Sequence, residues 1–203
     1  ALRIYEKLKN EGFEIYLIDN KSDFDENKIR DYGPDFILFY GWSWIIQESL
    51  INDYLCIMLH PSALPKYRGG SPIQNQIING EKDSAVSLFI MDKGIDTGDI
   101  IGQEYLSLEG DLEDILKRIT LIGFELTIQF LKNGIKRRKQ NDSEATYFAR
   151  RKEEENEITI KELNSKDGKY LINKIRMLQD PYPNAFFKTI DGKKLKIKVA
   201  ELE

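Results

Sequence analysis

The sequence predicts an α/β fold: a Rossmann-like, mostly parallel sheet flanked by helices, with a small α+β appendage at the carboxyl end. Three observations carry this prediction. Short continuous apolar runs, such as Phe36-Ile37-Leu38-Phe39, alternate with stretches of helical period. Runs of that length belong to strands covered on both faces, where the polar/apolar alternation of a half-exposed strand is lost. The regular alternation of the two element types then favours a sheet with helical crossovers. A length of 203 residues, 41% of them hydrophobic and 32% charged, suits one main soluble domain with an appendage.

The elements follow in order. Residues 1–10 form a helix with Leu2, Tyr5 and Leu8 on one face, stopping near Gly12. Residues 13–18 read as a buried strand and residues 27–32 as a short helix ended by Gly33-Pro34. Residues 35–40 give a strong strand signal, 45–51 a short helix, and 55–59 a further apolar strand. Residues 72–79 are helical, with Gly80 as their stop. Residues 85–91 and 100–106 are strands, and 111–133 is a long amphipathic helix ending at Gly134. A doubly wound fold opens on a strand, whereas this chain opens on a helix, so a first strand is expected to be missing from the sequence.

Beyond Gly134 the character changes to a basic run, Lys136-Arg137-Arg138-Lys139, and a charge-dense stretch at residues 152–157. A helix at 166–179 is broken by Pro181-Tyr182-Pro183. Strands at 185–190 and 194–200 are joined by the turn pair Asp191-Gly192. The expected organisation is a main domain over residues 1–138, a linker over 139–164 and a helix-plus-hairpin segment over 165–203.

Composition excludes several classes. The apolar content rules out a disordered or collagen-like chain. No apolar run approaches the roughly 18 residues that cross a bilayer, and no signal peptide is visible. A net charge of −4, from 30 Lys+Arg against 34 Asp+Glu, does not support a protein held to nucleic acid mainly by phosphate contacts, although a local patch remains open. The single cysteine, Cys56, excludes an intrachain disulfide and a zinc site of several thiolates, and makes a reducing cytoplasm the expected compartment. The single histidine, His60, must serve any imidazole chemistry.

The informative stretch runs from residue 58 to residue 99. The 55–59 strand ends directly at His60, and Pro61-Ser62-Ala63-Leu64-Pro65-Lys66-Tyr67-Arg68-Gly69-Gly70 follows as a loop of defined turns. A second strand leads into Met91-Asp92-Lys93-Gly94-Ile95-Asp96-Thr97-Gly98-Asp99. In α/β sheets ligands bind beyond the carboxyl ends of strands, where both loops begin. The residues alone fit a polar loop histidine and an Asp/Gly turn as well as they fit a ligand crevice. A calcium loop fails on ligand spacing and the absent terminal Glu.

These two motifs, with Ser71-Pro72-Ile73-Gln74, Tyr147-Phe148-Ala149-Arg150-Arg151 and Asp180-Pro181-Tyr182-Pro183-Asn184, resemble the formyltransferases that use 10-formyltetrahydrofolate. They are most similar to the methionyl-tRNA and amino-sugar N-formyltransferases. The resemblance spans residues 35–187, and the step of 36 positions from His60 to Asp96 matches the family's catalytic spacing. It implies that a primary amine attacks the formyl carbon of the folate N10 amide. His60 then stabilises the tetrahedral intermediate and helps move a proton, tasks that suit imidazole chemistry. Asp96 orients that ring and holds a relay water. Ser62, Ala63, Leu64 and Pro65 match the folate-contacting segment. Tyr40, Gly41 and Trp42 match the lining of the pterin and formyl pocket, with core packing or a lid as the competing explanation of Trp42 and Trp44. Met91, Asp92 and Ile95 belong to the loop that walls the pterin. No metal is implied.

One position departs from the family pattern. An asparagine stands there two residues before the histidine and donates to the oxyanion; here it is Met58. A thioether cannot donate, and loss of such a donor typically costs about 2.7–4 kcal/mol. Either Ser43 or a backbone amide substitutes, or the chain is slow, or it serves another task, as a hydrolase of the formyl-folate or a folate-binding protein without activity. The expected acceptor is methionyl-tRNA or a nucleotide-linked amino sugar. The acidic connection over residues 19–27 and the short carboxy-terminal segment favour a small acceptor, while Lys136–Lys139 and Arg150-Arg151-Lys152 favour one bearing phosphates.

Overall fold

The computed structural model describes residues 2–203, so the predicted helix start at residue 1 lies outside the described residues. Helix α1 (Leu2–Asn10) buries Ile4 and Leu8, and α2 (Glu26–Tyr32) follows. The Asp25 carboxylate caps α2 by accepting from the amides of Asn27 and Lys28, and Gly33 ends it in the left-handed conformation at φ 65°, where a side chain is strained. Strand β1 (Phe36–Tyr40) leads through α3 (Glu48–Asp53) to β2 (Leu55–His60). A two-residue strand, β3 (Arg68–Gly69), precedes α4 (Pro72–Ile78), whose proline sits at the helix start. Strands β4 (Asp83–Ile90) and β5 (Ile100–Ser107) and the long helix α5 (Leu112–Asn133) complete the main layers.

The sheet order is β1-β2-β4-β5. Parallel pairing holds for β1 and β2, with Leu38 opposite Ile57, the pair linked by a helical crossover. The next two pairings are antiparallel, with His60 opposite Ser87 and Ser87 opposite Gln103. The α/β sheet flanked by helices is therefore present, but its pairing is mixed. The β4–β5 connection, residues 91–99, carries no helix, and without a crossover two neighbouring strands can only run in opposite directions. Ile57 and Leu59 pack toward α5, in one core with Val86, Leu88, Ile115 and Leu126. Cys56 and Phe39 pack on the opposite face with Ile29, Ile46 and Leu50.

Residues 13–18 do not form the predicted strand. A strand needs a hydrogen-bonded neighbour, and a groove of about 470 Å³ lies between this segment and β1, lined by both together with Ile4 and Leu8. Helix α3 begins three residues later than the predicted 45–51, because Ile45 projects into solvent.

At the carboxyl end, α6 (Ile160–Ser165) was absent from the prediction, although Thr159 and Glu162 close a reciprocal capping box on it, a pattern visible in sequence. Helix α7 (Gly168–Arg176) is shorter than the predicted 166–179, and β7 (Ala185–Lys188) and β8 (Lys194–Ile197) form the expected antiparallel hairpin. Ile158, Ile175, Met177 and Ala185 share one core with the main sheet. A second unpredicted feature, β6 (Tyr147–Phe148), pairs in parallel with β3. Among the described residues, no helix is long and apolar enough to cross a membrane.

Candidate active site

The loop after β2 is fixed to the sheet by side chains of β4 and β5 that lie outside both motifs. Ser87 Oγ, on β4, donates to the carbonyl of Ser62 at 2.6 Å. Gln103 Nε2, on β5, donates to the carbonyl of Leu64 at 3.1 Å and to Ser87 Oγ at 2.8 Å. Ser62 Oγ closes the turn on the carbonyl of Lys66 at 2.7 Å. Ser62 and Leu64 are buried, and Ala63 and Pro65 half-buried. A serine within the apolar run 85–90 was the signal for this stitching, since a buried hydroxyl needs partners.

His60 ends β2 and is buried. Its Nε2 lies 2.8 Å from the carbonyl oxygen of Tyr67, and its Nδ1 lies 3.5 Å from Asp96 Oδ2. A carbonyl only accepts, so Nε2 carries hydrogen in this arrangement, and a proton taken up at Nδ1 faces the carboxylate. The same Asp96 oxygen accepts the backbone N–H of Gly69 at 2.7 Å. Both Tyr67 and Asp96 sit at positive φ, 58° and 56°, a conformation uncommon outside glycine, which invites a functional reading.

Asp96 is carried by the β4–β5 loop. Asp92 Oδ1 accepts from the Gly94 amide at 3.0 Å and Thr97 Oγ1 at 2.5 Å, so Asp92 holds its own loop rather than facing His60. A Cβ on Gly98 would stand 1.7 Å from the carbonyl oxygen of Ile90, so the loop closes against β4 only with glycine there. Ile95, 66% exposed, is at the tip. Met91 and Met58 pack together against Leu64, Phe89 and Ile100. Met58 and His60, two apart on one strand, share a face, so the thioether lies on the side of the sheet where the family asparagine is expected.

Trp42 follows β1 and Gly41, and stacks edge-on with Trp44 at 4.9 Å and against Phe24 at 5.0 Å. Its indole Nε1 is buried with no hydrogen-bond partner among the described residues. A buried donor without a partner costs free energy, and a polar ligand edge is one thing that satisfies it. Arg150 Nη1 reaches the carbonyl of Ser43 at 3.4 Å, tying the later chain to this loop. Tyr40 does not join the group. Its hydroxyl pairs with Thr127 Oγ1 on α5 at 2.6 Å, across the sheet from His60, and burial pushes its phenol pKa up. Burial also pushes the Cys56 thiol up to about 12, which leaves it inert as a nucleophile.

The structure thus brings His60, Asp96, the Ser62–Pro65 shelf and Met91 to one face of the sheet. Among the described residues, no three His, Cys, Asp or Glu side chains cluster in a way that could hold a metal ion.

Residues 9–129 match the formyl transferase family profile. Methionyl-tRNA formyltransferase of Caldanaerobacter subterraneus subsp. tengcongensis is 34% identical over 196 residues, an alignment covering 91% of this chain and 60% of that protein. The chain spans between 51% and 63% of the length of the first curated relatives it matches. The solved structure of a methionyl-tRNA formyltransferase from Clostridium thermocellum superposes with a TM-score of 0.85 at 34% identity, covering 97% of this chain and 92% of that one. A 4-N formyltransferase from Francisella tularensis superposes at 0.69 with 27% identity, covering 89% and 77%.

Proposed function

The chain belongs to the formyl transferase family, and from that membership we propose that it moves a formyl group from 10-formyltetrahydrofolate to a primary amine. The observation that carries this reading is the convergence of His60 and Asp96 at a strand end, beside a buried loop shelf. The amine nitrogen attacks the formyl carbon, forming the new C–N bond. The carbonyl oxygen becomes an oxyanion, and collapse breaks the bond to folate N10. The proton lost by the amine ends on N10. For this His60 gives up the Tyr67 carbonyl, so that Nε2 turns to the reacting atoms, stabilises the oxyanion and passes that proton, while Asp96, on Nδ1, orients the ring and balances its charge. The backbone of Ser62–Pro65 and the Met91 side chain serve as the wall for the flat pterin, and Trp42 Nε1, buried without a partner among the described residues, is a candidate donor to a polar edge of it.

Methionyl-tRNA is the acceptor that the relatives' names support; a nucleotide-linked amino sugar is the alternative that the 4-N formyltransferase supports. The unpaired, buried Cys56 is consistent with work in a reducing cytoplasm. The test offers methionyl-tRNA and several nucleotide amino sugars beside 10-formyltetrahydrofolate and reads formylated product by mass spectrometry. A formylated amine supports the proposal. Formate release with no acceptor product replaces it with a hydrolase, whose oxyanion Met58 serves no better; the missing donor favours instead a folate-binding protein without activity. Folate binding without either product leaves a binding protein.

A further inference from the structure

We infer that Gln140 is the positioning residue for Asp96, an inference that rests on the function proposed above. Gln140 lies beyond the residues matched by the family profile and in a segment the sequence reading treats as linker. Its side-chain amide is used on both sides. The Nε2 group donates to the carbonyl of Asp96 at 2.9 Å and to the carbonyl of Gly98 at 2.7 Å. The Oε1 atom accepts from Arg68 Nε at 3.1 Å and Nη2 at 2.8 Å. Arg68 is itself 1% exposed and also donates to Tyr147 OH at 2.6 Å and Asp142 Oδ1 at 2.8 Å.

Both halves of this bracket lead to the His60–Asp96 pair. Arg68 stands between Tyr67, whose carbonyl meets His60 Nε2, and Gly69, whose amide meets Asp96 Oδ2. Gln140 grips the peptide on the other side of Asp96. Asp96 adopts positive φ, a state that persists only where the surroundings over-determine it. The two amide hydrogens of Gln140 supply that constraint, because they fix the carbonyls of residues 96 and 98 while Gly69 fixes the carboxylate. Gln140 is delivered there by reciprocal backbone hydrogen bonds between Arg138 and Ile100, both 2.9 Å. The segment after α5 therefore completes the site from behind, touching no reacting atom.

The experiment uses Gln140→Glu, which keeps an acceptor for Arg68 but removes both donors, and Gln140→Leu, which removes everything. Two readouts are taken on the full chain. The first is the kcat and KM of formyl transfer. The second is the ring-nitrogen NMR signals of His60, the one histidine in the sequence, with Asp96→Asn as reference. In Gln140→Glu, kcat falls by about tenfold to a hundredfold while the donor KM stays within about twofold. The His60 ring signals move in the direction seen for Asp96→Asn. Unchanged ring signals with unchanged kcat, or a raised KM with normal kcat, overturn the inference. Should Gln140→Leu fail to fold, Gln140→Glu decides alone. Should the wild-type chain transfer no formyl group, the proposed function fails, and the ring signals still decide whether Gln140 sets the His60–Asp96 geometry.

Discussion

The imidazole of His60 and the carboxylate of Asp96, separated by 36 positions in sequence, stand 3.5 Å apart, with the Gly69 amide on the same carboxylate oxygen. Two loops from neighbouring antiparallel strands thus close on each other through one ionisable pair. In a buried setting the pair does what neither residue does alone, because a charge on the ring has its counter-charge in place before substrate arrives.

His60→Ala and Asp96→Asn each lower formyl transfer at least about a hundredfold, the usual reach of general acid–base groups. Asparagine is the more informative replacement, because its amide oxygen can still accept from Gly69 and only the charge is lost. Steady-state rates on variants with unchanged circular dichroism check this. A near-normal rate in either variant removes that residue from the mechanism.

Met58→Asn keeps or raises activity. The residue shares a strand face with His60 and packs against Leu64, Phe89 and Ile100, so an amide there has His60 on its own side of the sheet. The gain in kcat has a ceiling of about 10²–10³, the value of one oxyanion donor. A steep loss, measured by the same assay, would mean that the pocket is shaped around the thioether.

The strand runs and the two loops were legible because buried strands and Pro/Gly-rich turns leave composition signals. Residues 13–18 carried the same signal but form no strand, and none of them is buried, because an apolar run names neither the neighbour that supplies hydrogen bonds nor the layer that covers it. The mixed pairing of β4 and β5 was invisible for the same reason: direction is set by connections, and a loop without a helix was read as if it crossed over. Tyr40 was assigned to the pocket by the family resemblance of its segment, yet its phenol lies on the α5 face; the side of a strand end cannot be counted without its register. Gln140 carries no motif, and Ser87 only the mark of a hydroxyl inside an apolar run. Both spend their own hydrogens on backbone carbonyls, which every sequence has.

Gly69→Ala disrupts the site and the fold together. Gly69 has φ 94°, and a Cβ there would stand 2.3 Å from the carbonyl oxygen of Phe148. Relief requires β3 to part from β6, which carries the Gly69 amide away from Asp96. The expected cost is about 2–4 kcal/mol of stability, the range of backbone strain plus a lost contact, read from the urea midpoint. A midpoint equal to wild type would show that the β3–β6 pair gives way without consequence.

The carboxy-terminal segment makes a prediction about acid. Lys174 is 3% exposed in its side chain, and its three ammonium hydrogens are matched by both Glu162 oxygens at 2.8 Å and the Glu157 carbonyl at 2.7 Å. Burial works to raise the Glu162 pKa, but the Lys174 hydrogen bonds and the Thr159 amide outweigh it and hold the carboxyl below its ordinary value of 4.5. A group whose pKa is depressed by folding binds more protons when unfolded, so its contribution to stability is complete above pH 4.5 and is lost as the pH falls through the lower folded value. Glu162→Gln leaves the Lys174 ammonium buried without its counter-charge, at a cost of about 3 kcal/mol near neutrality, the low end for breaking a buried pair because Glu162 keeps some contact with water. Protonated wild-type Glu162 resembles that glutamine, so the difference in urea midpoint between the two chains shrinks as the pH is lowered below 4.5 and vanishes once the wild-type carboxyl is neutral. A gap that stays constant across the titration would place the stabilising charge elsewhere.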